Sequence, residues 1–297
     1  MEEPATPAPV VSVVIVSRNC AGALKKCLGA LMLSKTRETT EVFVVDNGST
    51  DESPQLDAEF PGVTFLRLPR NFGRVKARNI AIRSATADLL MFLSPFVTLA
   101  PDAIGVLTSR LGADSQTAAV VPLLTSADGV PVAFYGSLPS AANQWRPIEA
   151  PPPASKDPVP VECASDIALM MRKTFLKGMN YFDEHYGDSW ADRDLCFQIR
   201  NAARKILLVP AATGECDPPG PPADTAGRAL VSADASLGAS RYIEKRNGWL
   251  AGFSYHLGQI LRALGSTLIF REPSYNFARF RFLATGQKID GTQGDWA

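Results

Sequence analysis

Small polar, acidic and basic residues follow three separate apolar runs in the first hundred residues. Grouped by the run they follow, they are Ser17 and Asn19; Asp46, Asn47 and Ser49; and Asn71, Gly73, Arg74, Arg78 and Asn79. A carboxylate can accept a hydrogen bond from a pyrimidine N–H, small polar groups can contact a ribose, and a glycine-led helix start can attract phosphate. The set therefore suits a nucleotide. Each of these groups alone is also typical of an ordinary turn or a solvated helix face, so the hypothesis of a nucleotide site rests on their order along the chain.

Asp192, in the segment "WADRDLC", is a candidate general base. One ionised carboxylate near an attacked carbon can take the proton of an incoming hydroxyl, which contributes on the order of 10²–10⁴ in rate. The alternative is an N-cap for the helix "RDLCFQIR", and the spacing alone leaves both open. Asp194 would point away from Asp192 on a helix, so we expect a structural role for it.

The elements that must position these residues are strands and helices in alternation. The apolar, β-branched run at 10–17 predicts a strand buried on both faces, and 41–46 predicts a second buried strand. Two further strands are predicted at 63–68 and 88–93. Helical segments separate them, including one with Ser53 as its cap, and this arrangement predicts βαβ units and a parallel sheet. Ligands of such sheets bind beyond the carboxyl ends of the strands, where the polar residues occur.

The composition favours a globular protein. Among 297 residues, 46% are hydrophobic and 20% charged, with a net charge of zero, so we expect a real core and no nucleic-acid partner. Five cysteines without a CxxC pair and two histidines argue against a zinc site and suggest a reducing compartment. The acidic start "MEEPATPAP" is unlike a signal peptide, and no apolar run reaches the ~20 residues of a membrane span. We therefore expect a cytoplasmic protein.

Three segments carry a family resemblance: "VSVVIVSRN", "EVFVVDNGSTDES" and "PRNFGRVKARNIAIRSATADLLMFL". Together with the later "ALMMRKTFLKGMNYFDEHYGDSWADRDLCFQIRNAARKILLVPAA", they resemble the family 2 glycosyltransferases of the GT-A fold, and most closely a rhamnosyltransferase-like branch that builds bacterial surface polysaccharides. The resemblance implies a Rossmann-like α/β domain: a mostly parallel sheet flanked by helices.

The resemblance, with the composition of the rest, divides the chain into three parts. We expect a disordered tail over 1–9, a glycosyltransferase-like domain over 10–228, and a helical C-terminal appendage over 229–297. Within the domain, 10–100 would be the nucleotide-binding half and 101–228 the acceptor half.

The implied activity is inverting transfer of a hexosyl or rhamnosyl group from a UDP-, dTDP- or GDP-sugar to a hydroxyl of a carbohydrate or glycolipid acceptor. By position, Asp46 would hold the base of the nucleotide and Asp192 would be the general base. The remaining pocket residues would be Ser17, Asn19, Asn47, Ser49, Asn71, Gly73, Arg74, Arg78 and Asn79.

Three positions depart from the family pattern. Ser94-Pro95-Phe96 stands where an acidic D-x-D-like motif normally binds a divalent cation, Ala191 replaces a frequent glutamate, and Cys216 falls where some relatives have a histidine. Magnesium and manganese prefer oxygen ligands with negative charge, so we expect no metal at this position and no cofactor besides the donor.

Without that metal, cationic side chains must stabilise the negative charge that develops on the leaving group. The candidates are Arg18, Arg74, Lys76 and Arg78, helped by the helix that starts near Gly73. Two alternatives remain: an inactive pseudo-glycosyltransferase that acts as a binding or scaffold subunit in glycan assembly, and a nucleotidyltransferase, which would need metal-binding carboxylates even more.

The C-terminal region has its own alternatives. Residues 250–270 could form an amphipathic helix on a membrane, with "ARFRF" and Lys288 against anionic head groups, which would place the protein at the inner face of the membrane. The simpler interpretation, which the zero net charge favours, is a helix packed on the domain with a solvated tail.

Overall fold

The computed structural model describes residues 8–143, 145, 149–153, 155–220 and 222–290. The predicted tail over 1–9 lies mostly outside these residues. The nucleotide-binding half contains four strands: β1 (Val11–Ser17), β2 (Thr40–Asp46), β3 (Thr64–Arg67) and β4 (Leu89–Leu93). They lie in the order β3-β2-β1-β4 and all pair in parallel, so their carboxyl ends share one edge of the sheet.

Two helices flank this half, α1 (Ala21–Met32) and α2 (Arg74–Ser84). The helical spacing of apolar residues in α1 places Leu24 and Leu28 in the core. The prediction of Ser53 as a helix cap is wrong. A 3₁₀ turn spans Ser53–Ala58 with Glu52 at its cap position, and the Ser53 hydroxyl instead accepts the N–H of Cys20 at 3.4 Å.

The rest of the domain extends the same sheet. Its elements are β5 (Val97–Leu99), α3 (Ala103–Ala113), β6 (Thr117–Thr125), β7 (Tyr135–Gly136), β8 (Val159–Val161), β9 (Cys163–Ala164), β10 (Ala168–Arg172), α4 (Lys173–Gly178), α5 (Ala191–Asn201) and β11 (Lys205–Cys216). The main sheet runs β3-β2-β1-β4-β10-β6-β11-β5, with β8 beside β11. Antiparallel pairs in this sheet involve β10, β5 and β8, and β6 pairs with β11 in parallel. The predicted α/β class is confirmed.

Three helices follow the sheet: α6 (Thr225–Asn247), α7 (Trp249–Leu268) and α8 (Pro273–Thr285). They pack on one another around Ala233, Ala263 and Leu283, one residue from each helix. The guanidinium of the buried Arg279 on α8 donates to Gln259 on α7 at 2.8 Å and to two serine hydroxyls on α6. The predicted helical C-terminal appendage is therefore present.

Within the described residues, none of the helices combines the length and the apolar character needed to cross a membrane.

Candidate functional site

The site starts at the carboxyl ends of β1 and β2. Ser17 and Asp46, the last residues of the two strands, are register partners, and the N–H of Asn47 donates to the Ser17 carbonyl at 2.9 Å. Asp46 is only 4% exposed, yet its Oδ1 accepts no hydrogen bond from any described residue. A buried carboxylate oxygen without a donor is costly unless a ligand supplies one, so Asp46 is suited to accept an N–H from outside the protein.

The loops after β1 and β2 lock together through Asn19. Its backbone has a positive φ of 48°, its N–H donates to Ser49 Oγ at 3.0 Å, and its side-chain Oδ1 accepts the N–H of Thr50 at 2.8 Å. Asn and Asp tolerate this left-handed conformation better than most residues. Asn19 and Ser49 therefore shape the rim beside Asp46.

Asn47 and Asn71 connect β2 to the start of α2. The Asn47 amide donates to Asn71 Oδ1 at 2.9 Å, and Asn71 Oδ1 also accepts the N–H of Gly73 at 2.9 Å. Gly73 has φ of 78°, and a Cβ there would lie 2.7 Å from the Ile289 carbonyl oxygen. Gly73 is thus required both by its backbone conformation and by close contact with the C-terminal segment.

A cavity of about 320 Å³ lies beyond the ends of β1 and β4. We call it the arginine cavity, because its charged lining consists of Arg18, Arg74, Arg78, Asp166 and Asp188. The tip Ser94-Pro95-Phe96 also lines it. The tip is fixed, since the N–H of Ser94 donates to the Ile167 carbonyl at 2.7 Å and the Ser94 hydroxyl accepts the N–H of Phe96 at 3.3 Å.

Arg78 is held at the inner wall of the arginine cavity. Its guanidinium forms a buried ion pair with Asp166 and lies over the rings of Phe92 and Phe182, at 5.4 and 4.7 Å from their centroids. Burial opposes the ionisation of Asp166, but the charges of Arg78 and Arg74 outweigh it and lower the pKa of this carboxyl. The pair is therefore charged on both sides.

Arg74, four residues earlier, faces the same cavity, as the spacing of the two arginines predicts. Its N–H donates to Asp188 Oδ1 at 2.7 Å, and its guanidinium donates to the Asp188 carbonyl at 2.6 Å. Lys76, another predicted cation, instead donates to the Asp290 carbonyl at 3.0 Å.

Asn79 lines a different cavity. Its amide donates to the Phe182 carbonyl at 2.9 Å and to Glu184 Oε1 at 3.0 Å, and its oxygen accepts the N–H of Phe182. The side chain connects α2 to the loop after α4, away from the group formed by Asp46, Asn47 and Asn71.

Asp192 lies at the second position of α5, whose N-cap is Trp190 with φ of 78°. The alternative of Asp192 as the N-cap is therefore wrong. Its Oδ1 accepts the N–H of Arg193 at 2.8 Å and the Arg193 guanidinium at 3.1 Å. The Asp192 carboxylate is also the main cause that raises the pKa of Arg193.

A cavity of about 160 Å³, which we call the Asp192 pocket, opens beside this carboxylate and is lined by Asp192, Arg193, Ser165, Tyr135 and Glu149 among others. Ile167 lines both the Asp192 pocket and the arginine cavity. The two cavities are thus neighbours across one side chain. A donor in the arginine cavity and an acceptor in the Asp192 pocket could therefore meet.

Asp194 has a different environment. It is 2% exposed and accepts from Lys245 at 2.8 Å, Arg246 at 3.0 Å, Gln198 at 2.9 Å and Tyr186 at 3.3 Å. We call these five residues the Asp194 network. It joins α5 to α6, which is the structural kind of role expected for Asp194.

Sequence reasoning did not identify Asp166 and Asp188, the two acidic residues of the arginine cavity. Asp166 comes two residues before the buried strand β10, and Asp188 follows Gly187 in the loop before α5. A charged residue two positions before the apolar run 168–171 was an available signal for Asp166. For Asp188 the sequence gives only a turn-like "YGDSW" segment.

The residues at the tip of β4 are not suitable ligands for a divalent cation. Ser94, Pro95 and Phe96 offer no carboxylate, Asp166 is paired with Arg78, and Asp188 accepts from Arg74. Across the described part of the chain, no three His, Cys, Asp or Glu side chains are grouped so that they could hold a metal ion.

Comparisons with known proteins bear on the family and the fold. Residues 12–178 match the family model "Glycosyl transferase family 2". A pre-mycofactocin glycosyltransferase of Mycobacterium tuberculosis is 31% identical over 214 residues, which cover 68% of this chain but only 41% of that protein. An N-acetylglucosaminyl-diphospho-decaprenol L-rhamnosyltransferase of the same organism is 25% identical over 229 residues, 68% of this chain and 74% of its own length.

Among solved structures, GalNAc-T7 with UDP, GalNAc and Mn²⁺ superimposes with a TM-score of 0.68 at 15% identity. The match covers 94% of this chain and 56% of that one. At this identity the likeness concerns the fold.

Proposed function

The chain belongs to glycosyl transferase family 2, and we propose that it transfers a sugar, with inversion, from a nucleotide-sugar to an acceptor hydroxyl. One observation carries the proposal: the arginine cavity and the Asp192 pocket adjoin across Ile167 at the strand ends. A cationic cavity suits a diphosphate, and a carboxylate in the next pocket suits an acceptor hydroxyl.

The donor would bind with its base at Asp46 and its diphosphate toward the arginines. Asp46 Oδ1, which lacks a donor among the described residues, would accept an N–H of the base. The rim formed by Asn19 and Ser49 would meet the ribose. UDP-, dTDP- and GDP-sugars all satisfy this description, because each offers a ring N–H next to a carbonyl.

Asp192 would act on the acceptor. As the acceptor oxygen forms its bond to the anomeric carbon, Asp192 takes the hydroxyl proton, and the bond between that carbon and the diphosphate oxygen breaks on the opposite side. The electron pair leaves with the nucleoside diphosphate. Arg193 positions the carboxylate by donating to its Oδ1 from both the backbone and the guanidinium.

The negative charge that develops on the leaving diphosphate would be stabilised by Arg18, Arg74 and Arg78. All three line the arginine cavity, and hydrogen bonds from guanidinium to phosphate are among the strong ones in proteins. This makes the proposed transfer independent of a metal bound at the tip of β4.

A glycolipid acceptor is supported by the rhamnosyltransferase relative, whose name specifies a diphospho-decaprenol acceptor. We propose a comparable lipid-linked glycan here, used in polysaccharide synthesis at the cytoplasmic face of a membrane. The five free cysteines, four of them buried, fit a reducing compartment.

The alternative is a pseudo-glycosyltransferase that binds ligands or partners without transfer. It is supported by the tip Ser94-Pro95-Phe96 and by the pairing of Arg78 with Asp166, which offsets one of the cationic charges.

A thermal-shift panel with UDP-, dTDP- and GDP-sugars, each with manganese and with EDTA, tests the proposal. We expect one donor to raise the melting temperature equally with manganese and with EDTA, and product to form when a polyprenyl-diphosphate glycan is added. If no donor binds in either condition, transfer is excluded and the scaffold alternative stands. Stabilisation only with manganese would overturn the metal-independent mechanism.

A further inference from the structure

Helix α7 carries an exposed apolar stripe. Its members are Leu250, Phe253, Leu257, Leu261 and Leu268, whose exposed fractions are 68%, 47%, 41%, 58% and 70%. Their spacing of three, four, four and seven residues places them on one side of the helix. A helix that presents five large apolar side chains to solvent carries an apolar patch of the kind that marks an interaction surface.

The stripe is separate from the surface by which α7 packs on the protein. Gly252 lies against α6, where a Cβ would be 2.7 Å from the Cβ of Glu244, and Ala263 is fully buried between α6 and α8. At 100° per residue, Gly252 and Ala263 face roughly opposite to Leu250 and Leu261. The stripe is therefore a second apolar surface, which the packing of the three helices does not use.

Aromatic and aliphatic side chains extend the stripe at both ends. Trp249 stacks on Phe253 with ring centroids 5.4 Å apart, and Trp249 is 66% exposed. At the other end, Ile269 and Phe270 are 73% and 84% exposed. From residue 249 to 270 the apolar surface is about 30 Å long, at 1.5 Å per helical residue.

The charge of this segment has one sign. Residues 249–271 contain no aspartate or glutamate, and their two formal charges are Arg262 and Arg271, both exposed. In the chain as a whole, acidic and basic residues are equal in number. An apolar stripe with cationic flanks is complementary to a surface that is apolar inside and anionic outside.

We infer that this stripe docks α7 in the plane of an anionic lipid bilayer, with the apolar side chains among the acyl chains and the arginines at the head groups. This goes beyond the proposed transfer reaction and can be tested without a sugar donor. A second copy of the chain fits less well, because two stripes face to face would gather the arginines with no carboxylate from 249–271 to oppose them.

Docking through α7 would also fix the site relative to the lipid. Helix α6, on which α7 packs, contacts Trp190 through Gly238 and binds Asp194 through Lys245 and Arg246. These contacts flank Asp192. A lipid-linked acceptor would thus reach Asp192 from the membrane on which the protein rests.

Flotation with liposomes tests the inference, with neutral phosphatidylcholine vesicles compared with vesicles that contain 30% phosphatidylglycerol. We expect the full chain to float with the anionic vesicles and the double variant Leu257→Glu/Leu261→Glu to lose at least about tenfold in partitioning. Leu33→Glu is the control, because Leu33 is 74% exposed directly after α1, and it should bind like the wild type. Arg262→Gln should weaken binding about fivefold.

Three results would overturn the inference: no flotation with anionic vesicles, equal loss in Leu33→Glu and the double variant, or a stripe that serves self-association. The last would appear as a wild-type dimer in analytical ultracentrifugation that the double variant converts to monomer, without vesicle binding. Circular dichroism of each variant confirms that the helices are intact.

Discussion

The arginine cavity and the Asp194 network both bury acidic and basic side chains, but they balance charge differently. In the network, the Asp194 carboxylate is bound by Lys245 and Arg246, and Lys245 is shared with Asp183. Both cations of the network are thus paired directly with its one carboxylate. The arginine cavity has three arginines against Asp166 and Asp188, which leaves an excess positive charge beside open space. Both regions bury charge beside open space, and what distinguishes the arginine cavity is Arg74, whose guanidinium donates to the backbone carbonyl of Asp188 instead of a carboxylate.

The largest effect is expected for Asp192→Asn, which removes the general base and leaves the arginine cavity intact. We expect the transfer rate to fall by about 10²–10⁴, because an amide cannot take the acceptor proton. The donor-induced rise in melting temperature should stay at the wild-type value. Single-turnover product formation and thermal shift measure the two quantities. Wild-type turnover in the variant would remove Asp192 from the mechanism.

Asp194→Asn tests the other region with the same chemical change two residues away. It leaves Lys245 and Arg246 facing a neutral amide, and breaking a buried pair of this kind costs about 3–5 kcal/mol. We expect a melting temperature lower by about 10 °C, with activity per folded molecule retained. Loss of activity without loss of stability would mean that the network belongs to the site.

Substitution of the two arginines of α2 should distinguish ligand binding from packing within the arginine cavity. Arg74 is exposed and bonded to one loop, so Arg74→Gln should lower kcat/KM by about tenfold to a hundredfold with little change in stability, since a hydrogen bond to a charged group is worth about 1.5–3 kcal/mol. Arg78→Gln should mainly destabilise, because it leaves Asp166 buried without its partner. Steady-state kinetics and chemical denaturation of both variants measure the contrast, and identical profiles would contradict it.

The sequence predicted the parallel half of the fold well, because its signal is local. β1, β2 and β4 are mainly apolar, and the polar residues after them lie at one sheet edge because parallel strands share a direction. The pattern of α1 likewise identified its buried face. Arg74 and Arg78 share a cavity because of their spacing of four.

The parts that the sequence did not predict depend on contacts between distant segments. Asp166 belongs to the site only because β10 reverses direction between β4 and β6. Asn79 faces the loop after α4 because of how α2 packs there, and helical periodicity does not say which neighbour a face meets. Similarly, Gly73 contacts residue 289, more than 200 positions away. Tertiary packing decides these cases.

The smallest effect concerns Asp234, a buried carboxyl that forms no ion pair with the described residues, unlike Asp166 and Asp194. It is 1% exposed and accepts the N–H groups of Ser189 and Ile289, at 3.1 and 2.9 Å. Burial raises its pKa from 3.8 to about 7. Between these values the folded protein holds a proton that the unfolded chain has released, so stability falls as pH rises and levels off above pH 7.

We expect the free energy of unfolding to decrease by about 1–2 kcal/mol from pH 5.5 to pH 7 in the wild type, relative to Asp234→Asn. The variant carries no titrating group at this position, so subtracting its curve removes the contribution of every other group. Urea denaturation at each pH gives both curves. Parallel curves would show that Asp234 is ionised in the folded protein. The expectation that a buried carboxyl without a cationic partner is neutral, in contrast to Asp166 and Asp194, would then be wrong.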